Sequence, residues 1–411
     1  MCRRVILTLF AAAAMANAQW QLDRASSEKV DHAMKARIVG DALKCSVKPL
    51  NPFLDFAFRF DAGYFISCPV KEFGGQTDTV MSYVRITPEN AAPVVLANGY
   101  RLPGIPRALA KKVNLGKVNS SFEMSGGFVL GEGRFTVDVL LVDSRNRICR
   151  AHWTMKAKRS GHEKDAPLSM PPNTAAAFPV RFWDGKPDVK PRSGTRLTIL
   201  LDAAPMNPFS NKLRAWDRAF LLDALSSLLR QTPAESVRLI AFNLDQQREV
   251  FRDDHFDRAG FARLSRALSR VELGTVSYKS LQRQNGWAEL LARLMNEQIT
   301  EQPPANSVIF LGPNTRIAAK FPETMLRARG SGQPQFFYFE YFPLWRSGRE
   351  FPDAIHYATR ACKGTTLKVH SPGEFAEAMR KVNERLEMAS GPQRSEEDLQ
   401  TAHEAAPPAK D

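Results

Sequence analysis

The stretch whose reading decides the fold is Leu197–Met206, LTILLDAAPM. Five residues, Leu197–Leu201, make an apolar run of strand length with β-branched Thr198 and Ile199 inside it, and the run ends abruptly on Asp202. A short continuous apolar run flanked by breakers is the signature of a strand buried on both faces. The carboxylate at its end then stands where a buried strand meets a loop. Ala203, Ala204, Pro205 and Met206 follow, so the loop brings no side-chain oxygen back to that carboxylate.

Outward from this strand, the C-terminal half alternates strand and helix. Val237–Phe242 (VRLIAF), Ser307–Leu311 (SVIFL), Phe336–Phe339 and Thr366–Val369 read as further buried strands. Between them, Lys212–Leu229, Phe256–Val271 and Trp287–Ile299 carry apolar residues at helical spacing. Ser371-Pro372-Gly373-Glu374 opens a last helix with an N-cap serine, a proline at the first helical position and a capping-box glutamate. Apolar strands alternating with amphipathic helices predict a doubly wound α/β fold, a parallel sheet covered on both faces, over residues 194–389.

Residues 19–158 read differently. Phe56, Phe58 and Phe60 alternate with small or charged neighbours, and Asp61-Ala62-Gly63 supplies a turn before Tyr64–Cys68. Phe135, Val137, Val139 and Leu141 alternate again, and Cys149, Ala151, Trp153 and Met155 share one face of the next strand, with His152 on the other. Period two with a turn every ten or so residues predicts an antiparallel β-sandwich of Ig-like character. Gly126-Gly127 reads as a turn. Asp23–Val39 has weak helical periodicity. Residues 159–193, rich in proline and poor in apolar periodicity, read as an interdomain linker, and residues 390–411 as a disordered tail.

The amino terminus has the layout of a secretory signal peptide over residues 1–18: Arg3 and Arg4, an apolar Val5–Met15, and Ala16-Asn17-Ala18 before a cleavage point at Ala18/Gln19. The expectation is a secreted or periplasmic protein with no membrane span. The formal charge of +14 fits an acidic envelope polymer or a protein partner better than nucleic acid in that setting. Export permits disulfides. Cys45, Cys68 and Cys149 are the candidates in the N-terminal half, at most one bridge forms among them, and Cys362 stands apart. None has CxxC or CxxH spacing, so no zinc site is expected.

Taken together, LTILLDAAPM, VRLIAFNLDQQREVF, SVIFLGPN and the final strand and helix resemble a von Willebrand factor A-type domain, in particular the VWFA-related domains of secreted bacterial proteins. The resemblance covers roughly Thr195–Leu386. It implies a ligand site at the carboxyl ends of the strands. In metal-competent members the first strand ends in Asp-x-Ser-x-Ser, a threonine comes from a later loop, and an aspartate follows the strand equivalent to SVIFL. Asp202 matches the first position, but Ala204 and Met206 replace the serines and Pro313 stands where the second aspartate belongs. Thr275 is a loose match for the loop threonine. One carboxylate and one hydroxyl fall short of the six or more oxygens magnesium or calcium takes, so a degenerate site with no metal and no other cofactor is expected.

The loop Gly312–Arg316 is the remaining candidate. Asn314, Thr315 and Arg316 belong beside Asp202, to meet a partner or, with Arg316 pairing to Asp202, to satisfy a buried carboxylate. Asp253, Asp254, His255 and Asp257 read as caps of the helix that follows. His356 and His370 show no carboxylate or cysteine at ligand spacing. Tyr341, Phe342 and Trp345 run past the aromatic strand FFYFEYF as an exposed patch. Nucleophile elbow, P-loop and dinucleotide fingerprints are all missing from the sequence. The sequence therefore leads to a non-enzymatic binding or scaffold protein, with a metal-dependent adhesion module or a hydrolase with an interdomain site as alternatives.

Overall fold

The computed structural model describes residues 19–35, 42–104, 119–178, 183–207, 210–273, 283, 285–327, 333–342 and 350–390. The segment expected as a signal peptide, the tail beyond Ser390, Thr275 and Trp345 lie outside them. The chain divides into two compact units.

The first unit holds residues up to 55, 59–159 and 168–180. Its elements are β1 (Trp20–Gln21), α1 (Arg24–Lys35), β2 (Ser46–Leu54), β3 (Phe60–Pro69), β4 (Asp78–Pro88), β5 (Val94–Leu102), β6 (Ser121–Leu130), β7 (Gly133–Asp143), β8 (Ile148–Ala157) and β9 (Ala175–Ala177). They form a five-stranded sheet, β1-β5-β4-β7-β8, and a four-stranded sheet, β2-β3-β6-β9, both wholly antiparallel. Alternation drives this arrangement: along β4, Asp78, Val80, Ser82, Val84 and Ile86 are buried while their neighbours are half-exposed or exposed. Tyr64 from one sheet lies 6.3 Å, ring to ring, from Trp153 of the other, and its Oη is 3.3 Å from Ser82 Oγ.

A disulfide joins Cys45, just ahead of β2, to Cys149 on β8, one strand from each sheet. Cys68 remains a buried thiol. His152 is exposed, with Nδ1 2.7 Å from Asp138 Oδ1.

The turn expected at Asp61–Gly63 is overturned, because β3 runs straight through it. The reversal comes earlier, where Asp55 Oδ1 and Oδ2 accept from Arg59 N (3.0 Å) and Nε (2.9 Å). Gly126 and Gly127 are strand residues of β6 rather than turn residues. A Cβ on Gly126 would lie 2.2 Å from Tyr64 Oη, so the glycine makes room for the ring.

The second unit holds residues 56–58, 160–167 and those from 181 onward. It comprises β10 (Arg192–Asp202), α2 (Ala215–Gln231), β11 (Ala234–Asn243), β12 (Arg248–Asp253), α3 (Arg258–Ser269), α4 (Gly286–Thr300), β13 (Ser307–Pro313), β14 (Gln335–Tyr341), α5 (Ala354–Ala361), β15 (Thr365–Val369) and α6 (Pro372–Ser390). The six strands lie in the order β12-β11-β10-β13-β14-β15. β10 is central, and Ile199, Leu200 and Leu201 have no solvent exposure. Leu200, Ile240, Phe242, Leu291, Leu294 and Phe310 share one core, so the helical spacing of α4 places its leucines against the apolar strands. Phe56 belongs to this unit and packs edge-on against Phe220 and Tyr341 (4.6 and 5.2 Å between ring centroids).

The expected fold class, a doubly wound parallel α/β sheet, is corrected by the strand pairing. Most described strand pairings in the chain are antiparallel, and apart from an isolated parallel bridge between Ala42 and Ile148 the parallel ones are confined to this single sheet. That sheet is itself mixed, since β12 pairs antiparallel with β11. The short loop Leu244–Gln247 explains the reversal: Gln247 N donates to Leu244 O, and Gln247 adopts φ 53°, a hairpin connection that cannot carry a parallel crossover. The molecule is therefore a mainly antiparallel, sandwich-like β protein carrying one mixed sheet with helices.

Residues 159–193, expected as a linker, supply β9 to the first unit and Ser160–Pro167 to the second. The aromatic patch expected from Tyr341 and Phe342 is also corrected: the two residues are 0% and 6% exposed, because β14 continues to Tyr341 and Phe342 N donates to Val369 O.

Candidate functional site

The carboxyl ends of three neighbouring parallel strands converge at Asp202. β10 delivers Asp202 itself, paired in register with Phe242 of β11. β13 brings Gly312, whose added Cβ would sit 2.7 Å from Asp202 Cβ, so only glycine lets the two strands run this close. Asn243, Leu244 and Asp245 leave β11 alongside, and Asn314, Thr315 and Arg316 leave β13. These residues, with Ala204 and Pro205, enclose a cavity of about 20 Å³, room for about one water.

Asp202 is 1% exposed, and neither carboxylate oxygen has a hydrogen-bond partner among the described residues. Burial first, and then the nearby charges of Asp245 and Asp353, hold its pKa well above the ordinary carboxylate range. Burial therefore favours the neutral acid, the form in which an unpaired carboxyl best tolerates such a place.

Arg316 does not pair with Asp202. Its Nε donates to Asp245 Oδ1 at 2.9 Å, with the guanidinium half exposed. Asn314 is buried, its Nδ2 donating to Glu340 Oε1 (2.6 Å) and to the carbonyl of Phe351 (3.1 Å). Thr315 N donates to Asp353 Oδ2 at 2.7 Å. Asp353 also caps α5, its Oδ1 accepting from His356 N at 2.8 Å, and it accepts from Tyr338 Oη at 2.9 Å. One buried carboxylate thus fixes the loop, the helix and the strand together. Burial outweighs these donors and raises the pKa of Asp353, while burial and the Asp353 charge push Glu340 up to about 7.

The candidate residues therefore separate. Asp202, Asn314, Thr315 and Arg316 do line one cavity with Ala204, whereas Met206 is buried and its N donates to Asp217 Oδ1 at 2.9 Å. Pro313 lies inside β13, opposite Tyr341, and offers the site no carboxylate. Reading the sequence missed Asp245, Glu340 and Asp353. Asp245 was recoverable, since Asn243-Leu244-Asp245 leaves the end of a strand parallel to β10. Nothing local marks Glu340 and Asp353, whose partners are 26 and 38 residues away.

The donor set does not fit the divalent cation that the A-type resemblance implies. Ala204, Pro205 and Leu244 supply no side-chain oxygen, Asp245 is engaged by Arg316, Asn243 Oδ1 accepts from Gln246 N at 2.9 Å, and the Thr315 hydroxyl accepts from Ile317 N at 3.3 Å. Six oxygens in octahedral array are not to be had here.

The acidic group near α3 behaves as capping and pairing residues. Asp257 Oδ1 accepts from Gly260 N at 2.7 Å, Asp253 pairs with Arg263, and Asp254 with Arg238. His370 is a correction: its ring lies between Glu350 (Nε2–Oε1, 2.6 Å) and Glu374 (Nδ1–Oε2, 3.0 Å), which raises its pKa. Glu374 is one helical turn away, a spacing that the sequence did show.

No family model and no curated protein matches the chain. Among solved structures, the putative ApaA protein from Bordetella pertussis aligns at 16% identity over 28% of this chain and 94% of that one, with a TM-score of 0.18. A beta-glucosidase from Listeria innocua aligns at 11% identity over 28% of this chain and 16% of that one, with a TM-score of 0.16. A putative beta-galactosidase from Bacteroides fragilis aligns at 9% identity over 74% of this chain and 43% of that one, with a TM-score of 0.19. Likeness this slight carries no argument about fold or activity, and the site must be read from its own geometry.

Proposed function

We propose that this chain is an exported, non-enzymatic binding protein that meets a protein partner or an acidic envelope polymer at the strand-end loops around Asp202, without a metal ion. The observation that carries this reading is the pairing of Arg316 with Asp245 beside an unpartnered Asp202. A guanidinium occupies the charge-balancing role that a cation would otherwise take, and it presents its exposed side outward. The cavity behind it, about 20 Å³, is far below the few hundred cubic ångströms of a small-molecule site. Contact would therefore be made across the loop surface, with Arg316 as the natural bidentate donor to a carboxylate. Among the described residues, no helix is long and apolar enough to cross a membrane.

The test is affinity capture from envelope extract in the presence of EDTA, comparing wild type with Arg316→Glu and Asp202→Ala. A partner retained in EDTA and lost with Arg316→Glu supports the proposal. No partner, or a partner indifferent to both substitutions, would sink it.

A further inference from the structure

The amino end of the same sheet carries a second and much larger cavity. Leu197 of β10 pairs with Val237 of β11, five residues and roughly 16 Å of extended chain before Asp202. Here a cavity of about 330 Å³ opens, with all its lining residues in the second unit. Its size is that of a small-ligand site, and its make-up, mostly apolar with a few polar groups, is that of one as well.

Two observations give it a chemistry. The rings of Trp183 and Phe256 lie parallel, 3° between planes and 6.2 Å between centroids, and Trp183 Nε1 donates to the carbonyl of Lys186 at 3.0 Å, which holds the indole in place. Second, Glu235 and Asp257 both line the cavity, while among the described residues no lysine or arginine does, in a chain whose formal charge is +14. Each carboxylate is anchored through one oxygen: Glu235 Oε2 accepts from Gly194 N and Asp257 Oδ1 from Gly260 N. The other oxygen of each is available to a donor. His255 is the third ionisable lining residue.

We propose that this cavity binds a small organic cation, an ammonium or guanidinium carried on a flat or aliphatic body. The body lies against Trp183, Leu229, Val237 and Phe256. The cation is balanced by Glu235 and Asp257 and by the face of the indole. The strand-end loops at Asp202 take no part, so the inference stands apart from the binding function proposed above.

The probe is phenethylammonium, titrated by calorimetry and ligand-observed NMR into the full chain, beside its neutral and anionic counterparts 2-phenylethanol and 3-phenylpropionate. Saturable one-to-one binding of the ammonium is expected, with the alcohol weaker by about tenfold or more and the carboxylate not bound. Glu235→Gln with Asp257→Asn removes both charges while asparagine keeps the helix cap, and it should weaken the ammonium by at least about tenfold. No saturable binding of the ammonium, equal binding of ammonium and carboxylate, or undiminished binding by a folded Glu235→Gln/Asp257→Asn protein would each overturn the proposal.

Discussion

Arg316 and Asp245 form the ion pair at the mouth of the strand-end cavity, Nε to Oδ1 at 2.9 Å, and Asp202 behind them has no partner. The two facts are linked. A guanidinium that reached inward would pair with Asp202 and lower its pKa, whereas one held at the rim by Asp245 leaves the inner carboxyl to accept its proton from solvent.

The first prediction concerns pH. The folded-state pKa of Asp202 is raised above its ordinary value. Its contribution to stability is therefore fully present below the unfolded pKa near 4 and is lost as pH rises toward the folded value. While that lasts, the loss is about 1.4 kcal/mol per pH unit. Asp202→Asn removes the titration. Urea denaturation from pH 4.5 to 8 should show the variant gaining on wild type as pH rises, and a constant difference across that range would refute this.

Glu340 adds a second pH-dependent contribution with a defined end. Its pKa is pushed up to about 7, so stability is lost between roughly pH 4.5 and pH 7 as the folded state is made to give up its proton. Glu340→Gln keeps the neighbour Asn314 in a neutral pair. The stability difference between this variant and wild type should change through that window and level off above pH 7.

Gly312→Ala tests the close approach of β13 to Asp202. The new Cβ would fall 2.7 Å from Asp202 Cβ, inside contact distance, so a strand must shift. A loss of about 1–3 kcal/mol is expected for such overpacking, read from thermal or chemical denaturation. An unchanged midpoint would contradict the strand geometry.

Much of this was legible in the sequence and some was not. The apolar run Leu197–Leu201, the helix Trp287–Ile299 and the capping box at Ser371–Glu374 announce themselves because local pattern and burial agree. The antiparallel pairing of Arg248–Asp253 was hidden, since a hairpin and a crossover differ only in the few residues after Phe242. The turn was misplaced at Asp61–Gly63 because a glycine that serves a neighbouring strand looks the same in sequence as one that serves a turn. Asp202 was found from its strand, but the pairing of Arg316 with Asp245, and the role of Asp353 in holding Thr315, depend on loops far apart in the chain.

The disulfide gives a separate test of the first unit. Cys45 and Cys149 are 104 residues apart, so the bridge closes a long loop and should stabilise by about 2–5 kcal/mol. Reduction, or Cys45→Ser with Cys149→Ser, should lower the melting temperature, while Cys68→Ser should leave the bridge intact by thiol titration. Reduction without effect on melting would count against it.

The most direct test of the central claim, a strand-end site whose charge is balanced by Arg316 rather than by a metal, is calorimetric titration of the chain with magnesium, calcium and manganese at neutral pH. The account predicts no saturable heat at millimolar ion and the same result for Asp202→Asn. One-to-one uptake of an ion by wild type, abolished by Asp202→Asn, would contradict it.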